Sequence, residues 1–238
     1  MEDTPDNLLD RGVKIREEAE KLMDESFQLI ANAAQSGDPE AEFQLAKMFD
    51  NGYGCAQNWK VAFDRYKRAA DAGHVEATFN LGLMYYYGRS VPQDYPRAME
   101  FFTKAADAGL AKAAFNLGVM YENGTGCQVD LKAALDWYTR ASDMGSAKAM
   151  YNIGVMYSKG NGVPKDPVKQ FQWYSRSAEL GYVQAIHGVG HCYHNGIGVP
   201  KNDFEAMRWF KRSAAMGNMR SQKMVDLLLK SVNVISIS

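Results

Sequence analysis

Along "LAKAAFNLGVMYENGTGCQVDLKAALDWYTRASDMG", residues 110–145, apolar and small side chains return every three or four positions: Ala113, Leu117, Met120 and Tyr121, then Ala134, Trp137, Tyr138 and Ala141. That period places each group on one face of an α-helix, so the stretch predicts two amphipathic helices. The intervening "ENGTGCQVD" carries two glycines able to take positive φ, followed by Asp130, whose carboxylate can cap the unsatisfied first amides of the second helix. Arg140 in the last turn suits the negative end of the helix dipole, and Gly145 supplies a left-handed cap.

The same pattern returns along most of the chain. Gly73, Gly109, Gly145, Gly181 and Gly217 are each 36 residues apart, as are Gly52, Gly88, Gly124, Gly160 and Gly196, and as are Ala41, Ala77, Ala113, Ala149 and Ala185. Five gapless units follow: 38–73, 74–109, 110–145, 146–181 and 182–217. A repeat of this length predicts an all-α solenoid of helix-turn-helix units in place of a single closed core. Asn58, Asp94, Asp166 and Asn202 fill the capping slot of Asp130, and Pro167 stands at a first helical position, where its missing N–H is harmless. Ala46, Gly82, Gly118, Gly154 and Gly190 fall inside the first helices, where glycine costs about 1 kcal/mol relative to alanine, so the sequence predicts close approach of a neighbouring helix there. Residues 1–37 predict an N-terminal helical cap, helical from 7. Within 218–238, residues 218–230 predict a closing amphipathic helix, and the uncharged, β-prone tail "SVNVISIS" is expected to fray.

The stretches "FNLGLMYYYG", "FNLGVMYENGTG", "YNIGVMYSKGNGVPKD" and "KNDFEAMRWFKRSAAMG" resemble Sel-one-like repeats, relatives of the tetratricopeptide repeats, over residues 38–217. The resemblance implies antiparallel helix pairs stacked in a right-handed superhelix that gathers other proteins. It also implies that the first helices line a concave groove and that asparagines there grip peptide backbones. The chain departs from the pattern at Ala46, at Ser90 where the loop's second glycine belongs, and at Gln170 where alanine is usual.

Composition excludes some classes. At 46% hydrophobic and 23% charged residues over 238 positions, the chain is of ordinary globular type, and its formal net charge of −1 recommends neither nucleic acid nor a membrane surface as partner. No apolar run approaches the roughly 18 residues of a membrane span, and the acidic start "MEDTPDNLLD" lacks the features of a secretory signal, so a cytoplasmic location is expected. Three scattered cysteines, Cys55, Cys127 and Cys192, argue against a disulfide framework.

With Leu45, Leu81, Leu117, Ile153 and Val189 as core, the other side of the first helices carries four rows. Phe43, Phe79, Phe115, Tyr151 and His187 form one; Gln44, Asn80, Asn116, Asn152 and Gly188 form the next. Lys47, Leu83, Val119, Val155 and His191 make a third, and Asp50, Tyr86, Glu122, Ser158 and His194 a fourth. A carboxamide both donates and accepts, so Asn80, Asn116 and Asn152 can pair with any peptide main chain. Packed helices lie roughly 8–10 Å apart and three extended residues span about 10 Å, which matches one asparagine to every third residue of a bound strand. Alternatively the amides bond to neighbouring helices or water, and the aromatic row fills core. Leu83, Val119, Val155, Tyr86 and Tyr87 would add apolar contact.

In "HGVGHCYH", His187, His191 and His194 share one helix face. They read as a polar, pH-responsive end of the groove. Zinc is the alternative, disfavoured because three imidazoles on successive turns do not easily reach one ion and no HExxH motif is present. Cys192 takes a slot otherwise held by Met48, Met84, Met120 and Met156 and reads as core. Arg68, Lys104, Arg140, Arg176 and Arg212 read as helix C-terminal charges. The chain lacks SxxK and KTG, so no catalytic serine is indicated. The expected function is a non-enzymatic adaptor for a protein or peptide partner, without cofactor or metal. The alternatives are a cytoplasmic immunity protein or chaperone for a secreted effector, and a metal-dependent enzyme using the three histidines.

Overall fold

The computed structural model describes residues 5–235, with side chains described from 7 to 230. Among these the chain is helical throughout, a repeat solenoid of paired helices falling into two compact units, Met1–Ala108 and Gly109–Ser238.

The first unit holds α1 (Pro5–Ala34), α2 (Pro39–Asn51), α3 (Trp59–Asp71), α4 (Val75–Tyr87) and α5 (Tyr95–Asp107). Asn58 and Asp94 cap α3 and α5 by accepting the backbone N–H of Val61 and Arg97. Leu45, Ala46, Tyr66, Leu81 and Met84 are buried between the hairpins. Glu42, 2% exposed, ties α2 to α3 through Arg65 Nη1 at 3.0 Å and Arg68 Nη2 at 2.7 Å. Removing either arginine would weaken the compensation of a buried carboxylate. Only the last third of α1 joins this core: Phe27, Ile30, Ala31 and Ala34 pack with Ala41, Leu45 and Phe49.

The second unit holds α6 (Ala111–Asn123), α7 (Leu131–Asp143), α8 (Ala147–Lys159), α9 (Pro167–Glu179), α10 (Val183–Asn195), α11 (Asp203–Ala215) and α12 (Met219–Ile235). Asp130, Asp166 and Asn202 cap the second helices, and Pro167 opens α9. Val225 and Leu228 of α12 close the end against Ala206 and Phe210. The sequence reading ended this helix at residue 230; it continues to Ile235, with residues 236–238 outside the described part. Between 219 and 235 there is neither glycine nor proline to stop it, and each valine costs only a fraction of a kcal/mol, at most about 0.7, in helix propensity.

The intrahelical glycines answer to a ring. A Cβ on Gly118 would lie 2.5 Å from Tyr138 Cδ1, and one on Gly82 would lie 2.6 Å from Phe102 Cε1. Gly154 and Gly190 stand in the same relation to Tyr174 and Phe210. What approaches closely is the aromatic side chain of the unit's own second helix. In the loops, Ser90 holds φ 66° where the other units place glycine.

Candidate partner-binding surface

Each first helix sends its core residues one way and the four rows toward the other side. The aromatic row leans on second-helix rings in all five units: Phe43 on Tyr66 at 6.0 Å, Phe79 on Phe102 at 5.2 Å, Phe115 on Tyr138 at 5.7 Å, Tyr151 on Tyr174 at 5.2 Å and His187 on Phe210 at 5.4 Å. These rings are half core and half surface. Phe79 is the exception and a correction to the groove set: at 6% exposed it is core and offers a ligand little area. Phe115 and Tyr151 keep part of their surface open, as do Leu83, Val119, Val155 and Tyr86, while Tyr87 is exposed. The rows on α4 belong to the first unit and those on α6, α8 and α10 to the second.

The asparagines are half-buried, and two of them already touch the protein's own tyrosines. In the second unit the Tyr138 hydroxyl donates to Glu122 Oε2 at 2.6 Å, and the Asn152 carboxamide lies beside the same phenol. In the first unit the Tyr66 hydroxyl donates to Asp50 Oδ2 at 3.4 Å and has the Asn80 carboxamide beside it. Burial first, then the neighbouring carboxylate, pushes both phenols well above their ordinary range, so both remain protonated donors. Asp50 Oδ1 is buried without a hydrogen bond and lies 3.7 Å from Arg89 Nη1. Residue 102, at the matching place before Asn116, is phenylalanine and brings no hydroxyl. Row-by-row reading of the sequence missed these acid–tyrosine–asparagine chains. Their signal was a fixed offset: an acid 16 residues before a tyrosine, and an asparagine 14 after it, in two units.

The histidines divide. His187 Nδ1 lies 2.9 Å from Ser221 Oγ, and His194 Nδ1 lies 2.6 Å from Asp203 Oδ1; His191 is exposed. Burial lowers the pKa of His187, with smaller contributions from His191 and Arg220. Among the described residues no group of three His, Cys, Asp or Glu is arranged to hold a metal ion. Cys192 is buried and its thiol is pushed up to about 12 by desolvation, which leaves it a core group without thiolate chemistry at neutral pH. Its neighbour Gln170, in the slot that elsewhere holds alanine, sends Nε2 to within 4.0 Å of Cys192 Sγ. A small residue in the methionine slot is thereby matched by a large one in the alanine slot. The second-helix cations stack on the ring three positions earlier: Arg140 on Trp137, Arg176 on Trp173 and Arg212 on Trp209, at 5.0–5.4 Å. No helix among the described residues is long and apolar enough to cross a membrane.

The family model of the Sel1 repeat matches residues 39–74, 75–110, 111–146, 147–182 and 183–218. Among solved structures, a Sel1 repeat protein from Oxalobacter formigenes is 32% identical over 90% of this chain and 85% of its own, with a TM-score of 0.76. A protective antigen present in uropathogenic Escherichia coli strains, displaying an SLR fold, is 35% identical over 84% of this chain with a TM-score of 0.79; this chain covers 43% of its length. A Klebsiella pneumoniae Sel1 repeat protein, 22% identical over 85% of this chain and 98% of its own with a TM-score of 0.51, shares the fold. No curated protein matches the chain.

Proposed function

The chain belongs to the Sel1 repeat family, and from that premise we propose that it is a non-catalytic cytoplasmic adaptor whose first-helix faces grip the main chain of an extended segment of another protein. Scaffolds of this repeat are typically built for protein–protein contact. In the second unit Asn116 and Asn152 pair with the peptide backbone, while Phe115, Tyr151, Val119 and Val155 supply apolar contact. His187, His191 and His194 form the polar end of that face. In the first unit Asn80, Leu83, Tyr86 and Tyr87 play the same part.

The observation that carries this reading is the placement of Asn80 and Asn152 beside tyrosine hydroxyls. A carboxamide has two N–H donors and a carbonyl that accepts twice. A tyrosine hydroxyl beside it biases its orientation and leaves capacity for a ligand, which lowers the ordering cost of binding. Replacing Asn80, Asn116 and Asn152 together with alanine should weaken a peptide selected on the wild-type protein, by about 1–3 kcal/mol for each hydrogen-bonding asparagine that the complex buries. Thermal unfolding should shift by only a few degrees. Unchanged affinity for the selected peptide defeats the assignment.

A further inference from the structure

The first 30-residue helix does more than cap the solenoid. Leu8, Ile15, Leu22 and Leu29 follow one another at seven-residue steps and are 52%, 65%, 59% and 70% exposed. Four residues after each stands a small one: Gly12, Ala19, Ser26 and Ala33, all exposed, with open space where a Cβ on Gly12 would be. A strict seven-residue apolar repeat held over four turns of the pattern is the signature of a left-handed coiled-coil seam, and small residues beside it let a second axis come close. The last third of α1 joins the core and Met23 meets the loop at Gly54, while the seam residues before it stay exposed. A helical arm of this length without tertiary contact is marginal in water. The seam also runs into an open groove whose walls are Leu22, Met23 and Ile30 of α1, Lys47 and Met48 of α2, and Tyr53 of the loop after it.

The charge along the helix says what lies on this face. Arg11, Lys14 and Arg16 form a cationic stretch with no acid among residues 11–16, whereas Glu17, Glu18, Glu20, Asp24 and Glu25 follow with a single cation, Lys21. A parallel second copy would set like charge on like. An antiparallel copy pairs Leu8 with Leu29 and Ile15 with Leu22, and brings Arg11, beside the seam, level with Glu25. We propose that α1 is a dimerisation arm, joined to the same arm of a second copy of this chain as an antiparallel coiled coil. The register also sets Glu18 against its own mate, a like-charge contact that keeps the pair from its tightest form.

Sedimentation equilibrium on the full chain at micromolar concentration tests this. The wild type is expected to be a dimer, and the double variant Ile15→Asp, Leu22→Asp a monomer with unchanged thermal unfolding of the repeats, because both residues are exposed. Orientation is read by charge reversal: Arg11→Glu in one protein and Glu25→Arg in another should each weaken self-association at least about tenfold. Mixing the two should restore a heterodimer, since both ends of an antiparallel pair are then complementary. A monomeric wild type, or a dimer indifferent to the aspartate substitutions, overturns the proposal; a mixture that fails to restore association overturns the antiparallel register. None of these outcomes depends on the asparagine rows.

Discussion

Two second-helix tyrosines, in neighbouring repeats of the second compact unit, occupy one slot and are held differently. Tyr138 rests on Gly118, donates to Glu122 and has Asn152 beside it. Tyr174 rests on Gly154, but the acid's position is Ser158, the asparagine's is Gly188, and its phenol has Gln170 beside it. The ring is the scaffold's requirement, met equally well by Phe102 or Phe210; the hydroxyl is an addition that orients a surface carboxamide. Stability and recognition thus use different atoms of one side chain.

The largest way to break the comparison is to remove the ring. Tyr138→Ala should lower unfolding stability by about 3–5 kcal/mol in chemical denaturation, and Tyr174→Ala should be of similar size. Next, Gln170→Ala and Cys192→Met should each destabilise by about 1–3 kcal/mol, one opening space and the other overfilling it. The double variant should recover much of that loss, a coupling that a double-mutant cycle reads directly. Deleting only the hydroxyl sharpens the contrast: Tyr138→Phe leaves Glu122 and Asn152 without their shared partner and should cost about 1–2 kcal/mol, whereas Tyr174→Phe should cost less than about 1. The smallest effect belongs to pH. Burial holds the His187 pKa below the ordinary imidazole value of about 6.5, so its contribution to stability is full above that value and fades as pH falls through the lowered one. His187→Phe, which restores the ring found at residues 43, 79 and 115, should flatten the decline in melting temperature as pH falls below about 6.5.

The periodic features were legible because each rests on neighbours in sequence. Asp130 lies beside the amides it caps, and the glycine ending each unit needs only its own φ. Contacts joining three helices were harder. Glu122, Tyr138 and Asn152 sit on α6, α7 and α8, and only the offsets between units reveal them. Phe79 and Phe115 occupy the same row, yet one is buried and the other partly open. Helical position alone does not fix how deeply a large ring sinks. The heptad on α1 was visible in the residues but is masked by the stronger repeat beside it, whose period differs.

Backbone substitution within the ligand tests directly whether Asn116 and Asn152 hold its main chain. Peptides selected on the wild-type protein would carry single ester bonds in place of amides, with affinities measured by calorimetry. Two positions about three residues apart should lose affinity on esterification, and that loss should vanish against the Asn116→Ala and Asn152→Ala proteins respectively. Equal tolerance of esters at every position, with affinity governed by side chains alone, would contradict the account.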